Sequence, residues 1–166
     1  MNKTYKYFLV LLVSIIVAYY NSGKEEAELS GLMPVSRVVD GDTFWAEDGS
    51  KKGVKIRLIG VDAPETRNGN YKKIGFYGQE AKAYLTDLLI NQEVLLEYGV
   101  DSLDRYGRTL AYVYLSDGTF VNEELIKNGY ARVLSIPPNV KYADAFVSYE
   151  RDARESNRGL WQKESE

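Results

Sequence analysis

From Arg57 to Glu65 the chain reads RLIGVDAPE, an arginine near the start of an apolar run and two carboxylates, Asp62 and Glu65, at its end. Alternation along a strand puts residues two apart on one face, so Arg57, Ile59 and Val61 are expected to share a side of a single strand, Val54 to Val61. Pro64 has no backbone donor and biases Ala63 away from helix, so the strand stops there and the carboxylates enter a loop. Carboxylates facing a fixed guanidinium suit a site for a metal ion and an anion. The plainer alternative is a surface strand closed by an ion pair. Two further clusters bear on the choice: Asp40 and Asp42 in DGDT, and Arg105, Tyr106 and Arg108 in DRYGR. Two carboxylates with backbone carbonyls and waters are hard oxygen ligands that select Ca²⁺ or Mg²⁺. Arginines on rigid elements grip a phosphate bidentately and stabilise charge growing on phosphorus. A carboxylate not tied to the metal can orient or deprotonate a water, while the metal polarises the phosphate.

Elimination points the same way. The 166 residues include no cysteine and no histidine. Disulfides, zinc-thiolate sites and thiol nucleophiles are excluded. So are imidazole bases and the Ser-His-Asp triad. Hydrolytic chemistry must rest on Asp, Glu, Arg, Lys, Tyr or a hard metal ion. The net charge is −3. That argues against non-specific, high-affinity binding of nucleic acid by bulk charge, but not against an enzyme that recruits an anion through a bound cation.

The elements that position these clusters follow from periodicity. Strands are expected at Val35–Val39, Phe44–Ala46, Val54–Val61, Glu93–Tyr98 and Thr109–Leu115. The first three form a meander that places Asp42 and Asp62 on neighbouring strands. Gly78 to Ile90 reads as an amphipathic helix, with Ala81, Tyr84, Leu85, Leu88 and Leu89 on one stripe. Asn122 is expected to cap a short helix that stops at Asn128-Gly129. Ala131 to Ile136 reads as extended, and Tyr142 to Asn157 as a last helix with Phe146, Tyr149 and Ala153 inward. Thr66 to Tyr77 is a loop whose Arg67, Lys72 and Lys73 could guide phosphates or serve only solubility. The class is α+β, mainly β: a five-stranded OB-fold barrel with about three helices.

Residues 1–22 stand apart. Lys3 and Lys6 precede a run from Phe8 to Tyr20 that only Ser14 interrupts. The run is short of the roughly 17–20 residues of a spanning helix and fits the core of a signal peptide. Tyr19 and Tyr20 fit an interfacial aromatic belt instead. Export is expected, as a secreted protein or one anchored to the outer face of the membrane. Residues 23–33 are expected to be a polar linker, 34–163 the folded domain, and 164–166 a tail.

The segments VVDGDTFW, RLIGVDAPE, YGQEA, DRYGRTLAYVY, VNEELIKNGYARV and NRGLW occur in order across residues 34 to 162. Together they resemble the staphylococcal nuclease (thermonuclease) family. The resemblance implies an OB-fold, Ca²⁺-dependent phosphodiesterase that cleaves DNA and RNA to 3′-phosphate products; single-stranded or frayed substrate is the expected partner, and a monomer is the default expectation. It implies that Asp42, Asp62 and the carbonyl of Ala63 hold one calcium ion. Glu65 matches the residue that activates or positions water, and Arg57 and Arg108 the two phosphate-binding arginines. Arg105 and Tyr106 match positions beside the nucleotide's terminal phosphate, and Asp40 either backs the metal ligands or caps the turn. The chain departs from the family at Ser135 and Pro137, where tyrosines that line the nucleotide pocket are expected. The other reading is an OB module that binds single strands or a protein partner without cleaving; such a module is expected to lose Arg57, Glu65 or Arg108.

Overall fold

The barrel is built by strands whose alternate residues are driven out of water. In the computed structural model, which describes residues 29–66 and 75–162, β1 (Met33–Asp40), β2 (Thr43–Ala46), β3 (Val54–Leu58), β5 (Glu93–Leu103) and β6 (Thr109–Leu115) close in the order β1-β2-β3-β6-β5. Phe44, Ala46, Ile56, Leu58, Val94, Leu96, Ala111 and Val113 point into the barrel and are almost wholly buried. β1, β2 and β3 form the expected antiparallel meander. The closing seam is a parallel pairing of β3 with β6, in which Arg57 lies opposite Leu110. Residues 1–22, most of the linker, Arg67, Lys72, Lys73 and the tail lie outside the described residues. Within the stretch read as linker, Leu29 bridges to Glu97, and the Ser30 amide donates to the Leu96 carbonyl.

Among the described residues, three α-helices cover the barrel: α1 (Gly78–Leu89), α2 (Val121–Lys127) and α3 (Ala143–Glu155). Ala81, Leu85 and Leu89 form the buried stripe of α1, with Tyr84 and Leu88 partly covered beside it. Ile90, expected inside α1, lies beyond its end and is exposed. Phe146 and Ala153 anchor α3. Its approach is fixed by Glu97 on β5, which is buried and accepts hydrogen bonds from Tyr114 and Tyr142 and an ion pair from Lys141 at 2.9 Å.

Three expectations need correction. The strand Val54–Val61 is two strands: β3 ends at Leu58, and β4 (Gly60–Asp62) leaves the barrel to pair with β7 (Arg132–Leu134) in a separate two-stranded sheet. Gly60 makes the break. Its φ is +76°, and a Cβ there would lie 2.5 Å from the Phe146 ring, so the bend and the seating of α3 both need glycine. Arg57 therefore does not share a face with Ile59 and Val61, which are buried. The fourth strand runs to Leu103, five residues beyond Tyr98, as one arm of a hairpin with β6. Finally, Asn122 is no helix cap. Phe120 takes that position, and Asn122 is fully buried at the second helical position, its Nδ2 donating to the Ile59 carbonyl at 2.8 Å and its Oδ1 accepting from the Val113 amide at 2.9 Å.

Asn122 thus satisfies two backbone groups that the break after β3 would otherwise leave unpaired in the core. Asn122→Leu keeps the branched shape and heavy-atom count and strands both groups. It is expected to lower stability by about 3 kcal/mol, from the cost of unsatisfied buried polar groups, as a fall in the urea midpoint at unchanged slope.

Candidate active site

The site begins with a turn that only one residue type allows. Between β1 and β2 the chain reverses at Gly41 and Asp42. A Cβ on Gly41 would stand 2.6 Å from the Ala63 Cβ and 3.0 Å from the Ala81 Cβ. Glycine lets the turn press against the end of β4 and the flank of α1, which carries Asp42 to Ala63. The Ala63 amide donates to Asp42 Oδ2 at 3.1 Å, and the Thr43 hydroxyl donates to Oδ1 at 2.8 Å. Asp40, at the end of β1, caps the turn by accepting from the Gly41 amide.

Arg57 is the centre of the arrangement. It stands near the end of β3, just before the chain bends at Gly60, and its guanidinium reaches under the bend. One nitrogen donates to the carbonyls of Leu58 and Val61, at 3.0 and 2.5 Å. The other forms ion pairs with Asp42 Oδ2 at 3.1 Å and Asp62 Oδ1 at 3.4 Å. Asp42 is mostly buried, whereas Asp62 is about half exposed. Burial raises the Asp42 carboxyl above its ordinary range. Arg57 and the hydrogen bonds from Thr43 and Ala63 pull it down without cancelling that effect, and Asp40 adds repulsion.

Arg108 comes from the other side. It follows a hairpin turn shaped by Asp104, which accepts from the amides of Tyr106 and Arg108 and pairs with Arg108 Nε at 2.6 Å. Burial pushes the Asp104 carboxyl up, but those donors outweigh it and hold it below the usual carboxylate range. Arg105 and Tyr106 sit exposed at the tip, with the Arg105 guanidinium 4.8 Å from the Tyr106 ring centre and donating to its hydroxyl. Both arginines face two adjoining cavities. A polar one of about 200 Å³ is lined by Asp40, Asp42, Lys55, Arg57, Asp62, Ala63, Glu65 and Arg108. A larger one of about 420 Å³ runs along the hairpin, with Leu103, Tyr106, Leu134, Ile136 and Pro137 as its apolar wall.

All the candidates therefore converge: Asp42, Arg57, Asp62, Ala63, Glu65 and Arg108 on the polar cavity, Arg105 and Tyr106 on the larger one. Asp42 and Asp62 come from a turn and from β4 rather than from adjacent barrel strands, and Arg57 joins them. Of the two departures, Pro137 lines the larger cavity; Ser135 is not part of that lining. Two contributors escape the motif reading. Asp104 aims Arg108, and its signal was the Asp-x-x-Gly turn itself. The Leu58 and Val61 carbonyls hold Arg57, and no side chain marks them.

Among the described residues, no group of three or more His, Cys, Asp or Glu side chains is arranged to hold a metal. The donors on hand are two carboxylates and a backbone carbonyl, which with waters match the oxygen set of a hard divalent cation. A buried carboxylate that one arginine leaves incompletely compensated is consistent with that fit.

A sequence model described as "Staphylococcal nuclease homologue" matches residues 55–163. The chain is 37% identical over 172 residues to a thermonuclease of Staphylococcus intermedius, covering 98% of this chain and all of that one. It is 42% identical over 127 residues to a thermonuclease of Staphylococcus hyicus, covering 76% of this chain and 73% of that one. It is 38% identical over 131 residues to the endonuclease YncB of Bacillus subtilis, covering 78% of this chain and 61% of that one. With the OB-like barrel, and with Asp42, Arg57, Asp62, Glu65 and Arg108 brought to one polar cavity, the chain belongs to the staphylococcal nuclease family.

Proposed function

We propose that this protein is an exported, calcium-dependent nuclease that hydrolyses phosphodiester bonds of DNA and RNA to 3′-phosphate and 5′-hydroxyl ends. The observation that carries the reading is the bridging of Asp42 and Asp62 by Arg57, in a polar cavity that also holds Glu65 and Arg108. The names of the relatives, thermonuclease and endonuclease, support the reaction class. Calcium rests on the donor set and export on the character of residues 1–22. The protein works as a monomer on single-stranded or frayed substrate.

Asp42, Asp62 and the Ala63 carbonyl would hold the cation, which when bound polarises a phosphate oxygen and lowers the barrier to attack. Arg57 and Arg108 each donate to non-bridging oxygens of the scissile phosphate and stabilise the charge that accumulates there. Glu65 orients a water and accepts its proton as the water oxygen bonds to phosphorus. The bond from phosphorus to the 5′-oxygen breaks, and that oxygen leaves with a proton from solvent. Asp104 holds Arg108 in place through the 2.6 Å ion pair and does not touch the phosphate.

Arg57→Ala and Arg108→Ala are each expected to reduce turnover of single-stranded DNA by about 10²–10³-fold, the range for losing one charge-stabilising donor. Glu65→Ser is expected to cost about 10²–10⁴-fold, as for loss of an acid–base group. Release of acid-soluble nucleotide in calcium or in chelator measures all three. Strand binding by the wild type without cleavage in calcium would instead establish a binding module. Asp104→Asn retains an acceptor for the turn amides and removes the negative charge that pairs with Arg108, so it is expected to lower kcat/KM by about tenfold, equivalent to roughly 1.4 kcal/mol of transition-state stabilisation. Calcium is expected to raise the wild-type melting temperature by mass action; Asp42→Asn is expected to abolish that rise, as followed by circular dichroism.

A further inference from the structure

On the outer wall of the barrel, beside the polar cavity, a tryptophan lies among three cations that have no ion-pair partner among the described residues. Phe44 and Ala46 on β2 are fully buried, so Trp45 between them faces outward, partly buried. Its neighbours are fixed by the sheet: Arg37 on β1 and Lys55 on β3 lie directly opposite it. The Arg37 guanidinium is 5.3 Å from the ring centre, and the Lys52 ammonium, from the turn before β3, is 5.7 Å from it. Lys55 also lines the polar cavity, and Arg57 follows it on the same outer face two residues on. The wall therefore runs Arg37, Trp45, Lys55, Arg57 without a break. Arg108 and Tyr106 lie beyond Arg57 on the far side, where the Arg108 guanidinium is 5.5 Å from the Tyr106 ring centre.

We infer that Arg37, Trp45, Lys52 and Lys55 form a single-strand binding track that holds the nucleotides on one side of the scissile phosphate, the stretch over Tyr106 lying on the other. The inference rests on the nuclease reading of the cavity and extends it to an elongated substrate. A sheet stabilised by cation–π contacts alone would need none of its cations to lead into the site, yet Lys55 does. Three cations around one outward-facing, partly buried ring suit an unpaired strand: the accessible part of the ring takes a base and the cations take its phosphates, a combination that tolerates sequence. The track also supplies local attraction that the net charge of −3 does not. Glu47 and Asp48 sit at its turn end, so the positive strip is bounded rather than spread over the surface.

The full chain is titrated in chelator with an 18-nucleotide oligothymidylate while tryptophan fluorescence is followed. The chain has two tryptophans, so Trp161→Phe isolates the signal of Trp45. Quenching of that signal is expected. The double variant Arg37→Ala/Lys52→Ala is expected to flatten the salt dependence of binding by about 1.4 in log–log slope, from two phosphate contacts at about 0.7 each. In calcium, Trp45→Ala is expected to raise KM for the 18-mer about tenfold more than KM for a dinucleotide, within the range for one stacked base; Trp45→Phe restores most of it. Circular dichroism of each variant identifies any that fails to fold, and the surface double variant carries the test in that case. Cleavage by the wild type with no Trp45 quenching and an unchanged salt slope would overturn the track and leave the nuclease standing. Quenching without cleavage would support the track and overturn the nuclease. Neither quenching nor cleavage would overturn both.

Discussion

The arrangement depends on where one guanidinium finds its acceptors. Arg57 is bound by two carbonyls of the bend that follows it and by two carboxylates, Asp42 from the turn before β2 and Asp62 from the end of β4. A planar, permanently charged fork is suited to that task, and the ammonium of lysine could not make all four contacts with the same geometry. The carbonyls fix the plane of the group. The carboxylates neutralise it and are in turn held near one another, although like charges would otherwise separate. In this state the arginine occupies the role of counter-ion between Asp42 and Asp62. A divalent cation and a phosphate together would redistribute those partners, leaving the carboxylates to the cation and the fork to the anion.

The barrel supplies the rigidity that this exchange needs. Leaving β3 at Gly60 removes backbone partners from the middle of the protein, and Asn122 replaces them from a helix more than sixty positions away in the chain. α3 closes over the same bend through Phe146, and Glu97 ties that helix to β5 through two tyrosines and a lysine. Asn122 is thus the buried amide that serves the place where the sheet splits. A continuous strand would have needed no such group, but its carbonyls would have been committed to the ladder and unable to hold Arg57.

Much of this was legible in the sequence, for identifiable reasons. Strand alternation around Phe44, Ile56 and Val113 and the helical stripe of Ala81, Leu85 and Leu89 are properties of local periodicity, and they gave the meander, α1 and the class of the fold. The charged residues of the site announced themselves because so many ionisable groups on short motifs require a purpose. What escaped was non-local. The alternation RLIGVD continues through Gly60 as though nothing happened, since a change of dihedral sign leaves the pattern of side-chain types untouched. Asn122, followed by two glutamates, has the composition of a helix start, and only the packing of α2 on the barrel shows that its amide faces inward. The extension of β5 to Leu103 passes through Gly99, Asp101 and Ser102, poor strand formers across which the ladder with β6 shifts register and where the Asn139 side chain bonds both the amide and the carbonyl of Asp101.

The parallel seam between β3 and β6 has a consequence for how such a chain can vary. Arg57 stands opposite Leu110, and Arg108 lies two residues ahead of that partner. The two arginines that line the polar cavity are thereby spaced by a hydrogen-bond register, as marks on two rulers laid edge to edge. Losing or gaining a single residue between Gly107 and Leu110 would slide one ruler by about 3.3 Å and turn the displaced side chain to the opposite face. The turn at residues 47–53 is under no such gauge, because it joins strands whose pairing is fixed on either side of it. Insertions and deletions among relatives should therefore collect in that turn and be absent from the seam.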